Sequence, residues 1–367
     1  MVPILLTLAG TQYRESDQLK TLLPNGSVIF CEWREAPYVS VQLILSNRDL
    51  PDQPTNYGYR HLIEHIAVRS IEKHDYEVET AGGFLFASTS RDWMKFEWRV
   101  PPDKIGLAYK GIGRLIKDCG ATEEAIKRES IAIAQEISLA SSPEIASKRA
   151  WNSVYGVEGL DPVGSKESVI TAKPSDLADI WRQLTRSSNV VISASGSLDQ
   201  KTFTASCRDL LSGLAASKPS ALKGRAIDGS FGEPGIVAVP IPSVATKQGV
   251  NALVAAFGLA GRLNRPYVAY TPSIRSGLAM IGSADPYDSI KQVVEVEDPA
   301  TIFYLGRLNA LEWLKSRLAT PEGSAEFNGT LLSLSPTLRP AKIIENIEQA
   351  SFSDFQRSWS LIKGVAK

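Results

Sequence analysis

Gly58-Tyr59-Arg60-His61-Leu62-Ile63-Glu64-His65 gathers two imidazoles and a carboxylate between positions 61 and 65, and its reading decides the rest of the chain. An α-helix turns about 100° per residue, so His61, Glu64 and His65 fall within roughly one third of the circumference and project from one face. The order H-x-x-E-H reverses the commoner H-E-x-x-H zinc helix. It offers the same chemistry: two neutral ring nitrogens for a divalent ion and a carboxylate that can move a proton. A His pair beside a Glu also occurs on plain solvated helix faces. The composition weighs against that reading, because the chain has only 3 histidines and two of them take this spacing.

The segments around the motif alternate between strand and helix patterns. Gly26 to Trp33 and Tyr38 to Ser46 are β-rich runs joined by Arg34-Glu35-Ala36-Pro37, and together they predict a hairpin. Asn47 to Tyr57, rich in Asn, Asp and Pro, predicts a loop that delivers the chain to the motif helix. Ser70 to Ala81 predicts a second helix stopped by Gly82-Gly83. Phe84 to Ser90 and Trp93 to Val100 predict strands, the latter with Met94, Phe96 and Trp98 on one face and Trp93, Lys95, Glu97 and Arg99 on the other. After Pro101-Pro102-Asp103, Ile105, Ala108, Ile112, Leu115 and Ile116 keep helical spacing.

Thr122 predicts the N-cap of a further helix, with Glu123 and Glu124 in its first turn. Glu129 and Glu136, seven residues apart on that helix, share a line bordering the apolar stripe of Ile126, Ile133, Ile137 and Ala140. Two carboxylates there either reach water past the stripe or are paired with a cation. The helix pattern alone leaves both readings open.

Length and composition bound the answer. At 367 residues the chain exceeds what one hydrophobic core usually serves, and 43% hydrophobic with 22% charged residues describes an ordinary globular protein. The 40 basic and 40 acidic residues cancel, so nothing points to nucleic acid or an anionic membrane as partner. Cys31, Cys119 and Cys207 are widely spaced and read as reduced, packed thiols. Met1 to Gly10 lacks the basic start and the length of a signal sequence, and no apolar run is long enough to span a bilayer, so a cytoplasmic location is expected. The boundaries read as a first domain over 1–215, a linker over 216–235 with mixed Lys, Ser, Pro and Gly, and a second, smaller domain over 236–367. The second begins with a strand at Ile236 to Pro240. An Ala-rich run, Val250 to Leu259, fits strand or helix, and further elements fall at Ser276 to Ile281, Pro299 to Leu318, Ala341 to Ala350 and Ser353 to Lys363.

The motif followed by the Glu-x6-Glu pair resembles the pitrilysin and insulinase family of zinc metallopeptidases, the inverzincins, which includes the mitochondrial processing peptidases. Gly83 through Thr89-Ser90, Val100-Pro101, Asp161-Pro162 with Gly164, and Ser188 to Asp199 match family segments in order, so the resemblance covers about the first 210 residues. It implies an α+β fold of two related α/β domains, each an antiparallel-rich sheet packed by helices, the second shortened. It further implies that Zn²⁺ is held by His61, His65 and Glu136, the last lying 71 residues beyond His65. Glu64 would then be the general base and Glu129 a supporting catalytic carboxylate. Phe86-Ala87 stands where the family usually carries Asn-Ala on the substrate-side strand, and Arg262 with Tyr270 is the nearest match to a substrate-holding Arg and Tyr of the second domain.

The resemblance therefore implies a metalloendopeptidase hydrolysing extended peptides or leader segments inside an enclosed chamber. An edge strand near Phe84 to Ser90 would take the peptide by β-addition. The family's chamber needs four such domains and this chain supplies about two. A second subunit is therefore implied, a homologous partner in a heterodimer or a second copy. The competing expectation from another class is a non-catalytic peptide-binding or scaffold subunit.

Overall fold

The computed structural model describes residues 17–48, 52–221, 223–233, 236–244, 246–263, 266–271, 275–283, 293–295 and 298–365. Met1 to Gly10 therefore lies outside the described residues. The first half holds β1 (Gln18–Leu22), β2 (Val28–Trp33), β3 (Val39–Ser46), α1 (Tyr59–Ser70), α2 (Glu72–Thr80), β4 (Phe84–Thr89), β5 (Trp93–Val100), α3 (Gly106–Leu115), α4 (Glu123–Ser138) and α5 (Ser142–Tyr155). It continues with α6 (Lys166–Ile170), α7 (Pro174–Leu184), β6 (Val190–Gly196) and α8 (Gln200–Leu211). The second half holds β7 (Phe231–Glu233), β8 (Ile236–Ile241), α9 (Lys247–Ala260), β9 (Pro266–Thr271), β10 (Gly277–Ser283), α10 (Pro299–Leu318), α11 (Pro321–Leu334), α12 (Pro340–Glu348) and α13 (Phe352–Val365).

Two sheets form, of six strands in the order β1-β2-β6-β3-β5-β4 and of four in the order β7-β8-β10-β9. All pairings are antiparallel except β2 with β6. This is the α+β architecture expected, with a smaller second sheet. The expected hairpin of β2 and β3 does not form. β6 inserts between them, parallel to β2 and antiparallel to β3. The connection from Arg34 crosses the end of β6, where the Arg34 amide donates to the Gly196 carbonyl at 3.1 Å and the Ala36 amide to Ser197 Oγ at 2.9 Å. Gly196 is required there: its φ is +136°, and a Cβ would stand 2.5 Å from the Tyr38 carbonyl oxygen.

The alternating patterns put one face of the larger sheet into an apolar core. Ile29, Cys31, Val39, Val41, Leu43, Leu45, Met94, Phe96, Trp98, Ile192 and Ala194 pack there under α1, α3, α7 and α8. The opposite face is polar, yet it is buried too, because α11 from the second half lies across it. Ser195 and Ser324 donate to Glu32 Oε2 at 2.8 and 2.7 Å, Ser193 donates to the Ala325 carbonyl at 2.6 Å, and Lys95 Nζ meets Glu326 Oε2 at 2.6 Å. The exchange is reciprocal. From the first half, α5 lays Ala146, Ala150, Trp151, Val154 and Tyr155 against Phe231, Ala238, Leu278 and Met280 of the smaller sheet. On that sheet's other side α9 is buried from Gly249 to Ala260, and the Ala-rich run within it is a helix.

The segment expected to be a linker is pinned midway. Arg225, its side chain 1% exposed, pairs with Asp92 of the β4–β5 turn and donates to the Ser276 carbonyl at 2.6 Å and the Glu158 carbonyl at 3.2 Å. Its guanidinium also lies 5.3 Å from the Trp151 ring centroid, while that of Arg91 lies 4.3 Å from the same ring. All three cysteines are free and buried.

Candidate metal centre

The motif helix α1 carries Leu62, Ile63, Ile66 and Ala67 on its inner side, all buried in the core. Each large side chain contributes about 1.5–3 kcal/mol by leaving water, so the orientation of α1 is fixed by its apolar stripe and not by its polar face. Its N-terminus is set by Gly58, at φ +84°, packed against Gly164 so closely that a Cβ on Gly58 would stand 2.7 Å from the Gly164 Cα. Gly58→Ala is therefore expected to cost about 1–3 kcal/mol through backbone strain and overpacking, read as a lower denaturant midpoint at unchanged slope. At the second residue of the helix, buried Arg60 forms a two-pronged pair with Asp52, at 2.9 and 2.6 Å, which ties the preceding loop to the helix.

On the polar side of α1 the two rings stand edge to face, Nε2 to Nε2 at 3.2 Å. The neighbouring helix α4 begins at the expected Thr122 N-cap, whose side chain accepts from the Ala125 amide. It brings Glu136 to the rings, with Oε2 3.6 Å from His61 Nε2 and Oε1 3.5 Å from His65 Nε2. Donors held at 2.0–2.1 Å on the corners of a tetrahedron stand roughly 3.3 Å apart; the Nε2 to Nε2 distance is close to that edge, and a different Glu136 oxygen approaches each ring. His61, His65 and Glu136 are thus a donor set that could hold a metal ion. Burial, and next the charge of His65, lower the His61 pKa to about 4, which favours the neutral imidazole a ligand must be.

Glu129 does not join this donor set. It lies two turns earlier on α4, about 10.5 Å along the axis, and meets the other nitrogen of His65, Nδ1 to Oε2 at 3.6 Å. The His65 ring therefore stands between the two glutamates. Glu129 is buried and held by Arg128 at 2.8 Å and Arg69 at 3.6 Å, whereas the Glu136 side chain is 51% exposed. The two readings left open by the helix pattern thus divide between the residues: Glu129 is buried and paired, and Glu136 reaches both the rings and solvent.

Glu64 is buried beside the donor set. Burial pushes its pKa up to about 7, against the lowering effect of a 2.6 Å hydrogen bond donated by Thr89 Oγ1 to its Oε2. Thr89 ends β4, the terminal strand of the larger sheet, so a strand edge left open among the described residues lies beside the carboxylate. Thr89 had no assigned role in the sequence reading. Strand alternation could have found it, since it shares a face with Ala87.

Ala87 lies on the α1 side of β4 and packs on the core, but Phe86 projects from the opposite side against Arg99, 4.8 Å from its ring centroid. The structure brings the backbone of this pair to the site and does not bring the Phe86 ring. Arg262 lies on the exposed turn after α9, and Tyr270 pairs with Ala279 through its backbone on β9, its side chain lying outside the described residues. The third histidine, His74, is buried against Gly111 of α3, with Nδ1 3.4 Å from Glu77.

Comparison with known proteins agrees with this architecture. Similar solved structures include a protein described as an M16-like peptidase from Alicyclobacillus acidocaldarius, with a TM-score of 0.74, 15% identity and coverage of 94% of each chain. A chain of Complex III2 from Candida albicans with Inz-5 bound gives a TM-score of 0.75 at 15% identity, covering 94% of this chain and 92% of that one. A protease from Helicobacter pylori gives 0.73 at 14% identity, covering 94% and 96%. No sequence-family model and no curated protein matches the chain. The chain has the M16-like peptidase fold, which is the pitrilysin-like fold. Among the described residues no helix is long and apolar enough to cross a membrane.

Proposed function

We propose that this chain is a zinc-dependent endopeptidase acting on extended peptides, with His61, His65 and Glu136 as the metal ligands. The observation that carries the reading is the convergence of both Nε2 atoms and the Glu136 carboxylate, donor atoms within 4.8 Å of one another, beside a buried glutamate. Three protein donors leave one coordination position open, the mark of a catalytic site. When bound, the ion supplies Lewis-acid polarisation of a peptide carbonyl and a lowered pKa for water.

The residues of the chain supply the rest. Thr89 occupies Glu64 Oε2, so Oε1 is the oxygen that takes the proton from the attacking water and returns it to the departing amine. Glu129 orients the His65 ring from behind, a positioning role. The free edge of β4 binds the peptide main chain in extended form, and Arg262 and Tyr270 are proposed contacts from the second half.

The proposed division is a catalytic domain over 1–215, a linker over 216–235 and a second domain over 236–367. The proposed assembly is a dimer with a homologous partner. A second reading, a non-catalytic scaffold subunit, draws on the likeness to a chain of Complex III2. The two are separated by incubating the purified protein with internally quenched, unstructured peptides, with and without a chelator. Cleavage that stops on chelation and returns with added zinc supports the peptidase. A zinc-loaded protein, alone and with its partner, that cleaves no peptide would support the scaffold.

A further inference from the structure

The open strand beside the site carries two aromatic rings that its neighbours leave about half exposed. Phe84 and Phe86 are 59% and 45% exposed, with ring centroids 6.2 Å apart. Both project from the face of β4 away from α1, while Leu85 and Ala87 turn into the core and Thr89 to Glu64. The Phe86 ring rests on the Arg99 guanidinium, which Glu97 pins at 2.7 Å. Phe84 stands directly opposite Arg99 in the strand register. Exposed apolar side chains on an unpaired strand edge invite pairing with another chain, and such edges are ordinarily blunted with charge or proline. Here the edge is left open next to a candidate catalytic centre.

We propose that Phe84 and Phe86 form an apolar shelf that selects the peptide: the substrate carries large apolar side chains at two positions two residues apart, both on the same side of the cleaved bond. This rests on the reading of β4 as the peptide-binding edge. A strand added to β4 places its side chains opposite those of β4, with Cβ atoms about 5 Å apart. Alternate residues of the peptide therefore face the two rings. Strand rise puts Phe86 roughly 10 Å and Phe84 roughly 17 Å from Thr89, so the selected positions lie three and five residues from the one opposite Thr89.

The test uses zinc-loaded Glu64→Gln protein, which holds peptides without turnover, and fluorescent peptides of one polar sequence. Phe or Leu is placed at two positions spaced i, i+2, or at i, i+3, or replaced by Ser at both. The i, i+2 peptides should bind about three- to tenfold more tightly than the Ser peptide, and the i, i+3 peptides should not. Phe84→Ser with Phe86→Ser should erase the difference. Equal affinity for all three peptides, or a preference that survives the double substitution, overturns the proposal. A spacing preference in binding without any cleavage by the wild-type protein would keep the shelf and remove the peptidase reading. Cleavage indifferent to spacing would do the reverse.

Discussion

Replacing Glu64 with glutamine should lower kcat/KM for peptide cleavage by about a hundred- to ten-thousandfold, with bound metal unchanged. The amide keeps the size of the carboxylate and can still meet Thr89, but it cannot accept a proton as the carboxylate does. Glu64 is not among the three converging donors, so its loss should leave the ion in place. Equal cleavage by the two proteins in a steady-state assay, at matched metal content, would show that the proton is moved by another group. Loss of metal together with activity would instead make Glu64 a ligand.

The second large effect concerns stability. Arg225→Met should destabilise the fold by about 3–5 kcal/mol, because Asp92 then keeps a buried charge without its two-pronged partner, with Arg275 3.9 Å away. The loss also frees the Ser276 and Glu158 carbonyls, so segments of both halves lose a common tie. Equilibrium denaturation measures it, and the paired substitution Arg225→Met with Asp92→Asn should recover part of the loss by removing the stranded charge. A change below about 1 kcal/mol in the single variant would place the pair among weak surface contacts.

How much of this was legible in the sequence follows from how local each feature is. His61 and His65 share a helical turn, so residue spacing alone aligns them. The Thr122 cap and the strands from Phe84 to Val100 were legible for the same reason. Glu136 was reached through the spacing of a family resemblance, since its approach to the rings is made by helix packing that no local rule contains. Alternation separated Met94, Phe96 and Trp98 from Lys95 and Glu97 on the two faces of β5 but held no sign that the second face is covered as well. Lys95 and Glu97 are buried because α11 arrives from more than two hundred residues away with polar groups to match them. The false hairpin has a similar origin: β6 enters between β2 and β3 from about 150 residues downstream. Helix α11 itself went unread, although Thr320-Pro321-Glu322 is a regular helix start, with Thr320 capping the Gly323 amide. Arg225 was hidden within a composition that signals a loose connection, because no local pattern marks a single guanidinium for burial.

The proposed function requires that two histidines of α1 and one carboxylate of α4 together hold one divalent ion. Elemental analysis of the purified protein, dialysed against zinc and then against metal-free buffer, tests it most directly when Glu136→Gln and Glu129→Gln are measured beside the wild type. About one zinc per chain is expected in the wild type, a large loss in Glu136→Gln, and a partial loss in Glu129→Gln, where only the support of the His65 ring is removed. Full zinc in Glu136→Gln with none in Glu129→Gln, or no zinc in the wild type, would contradict it.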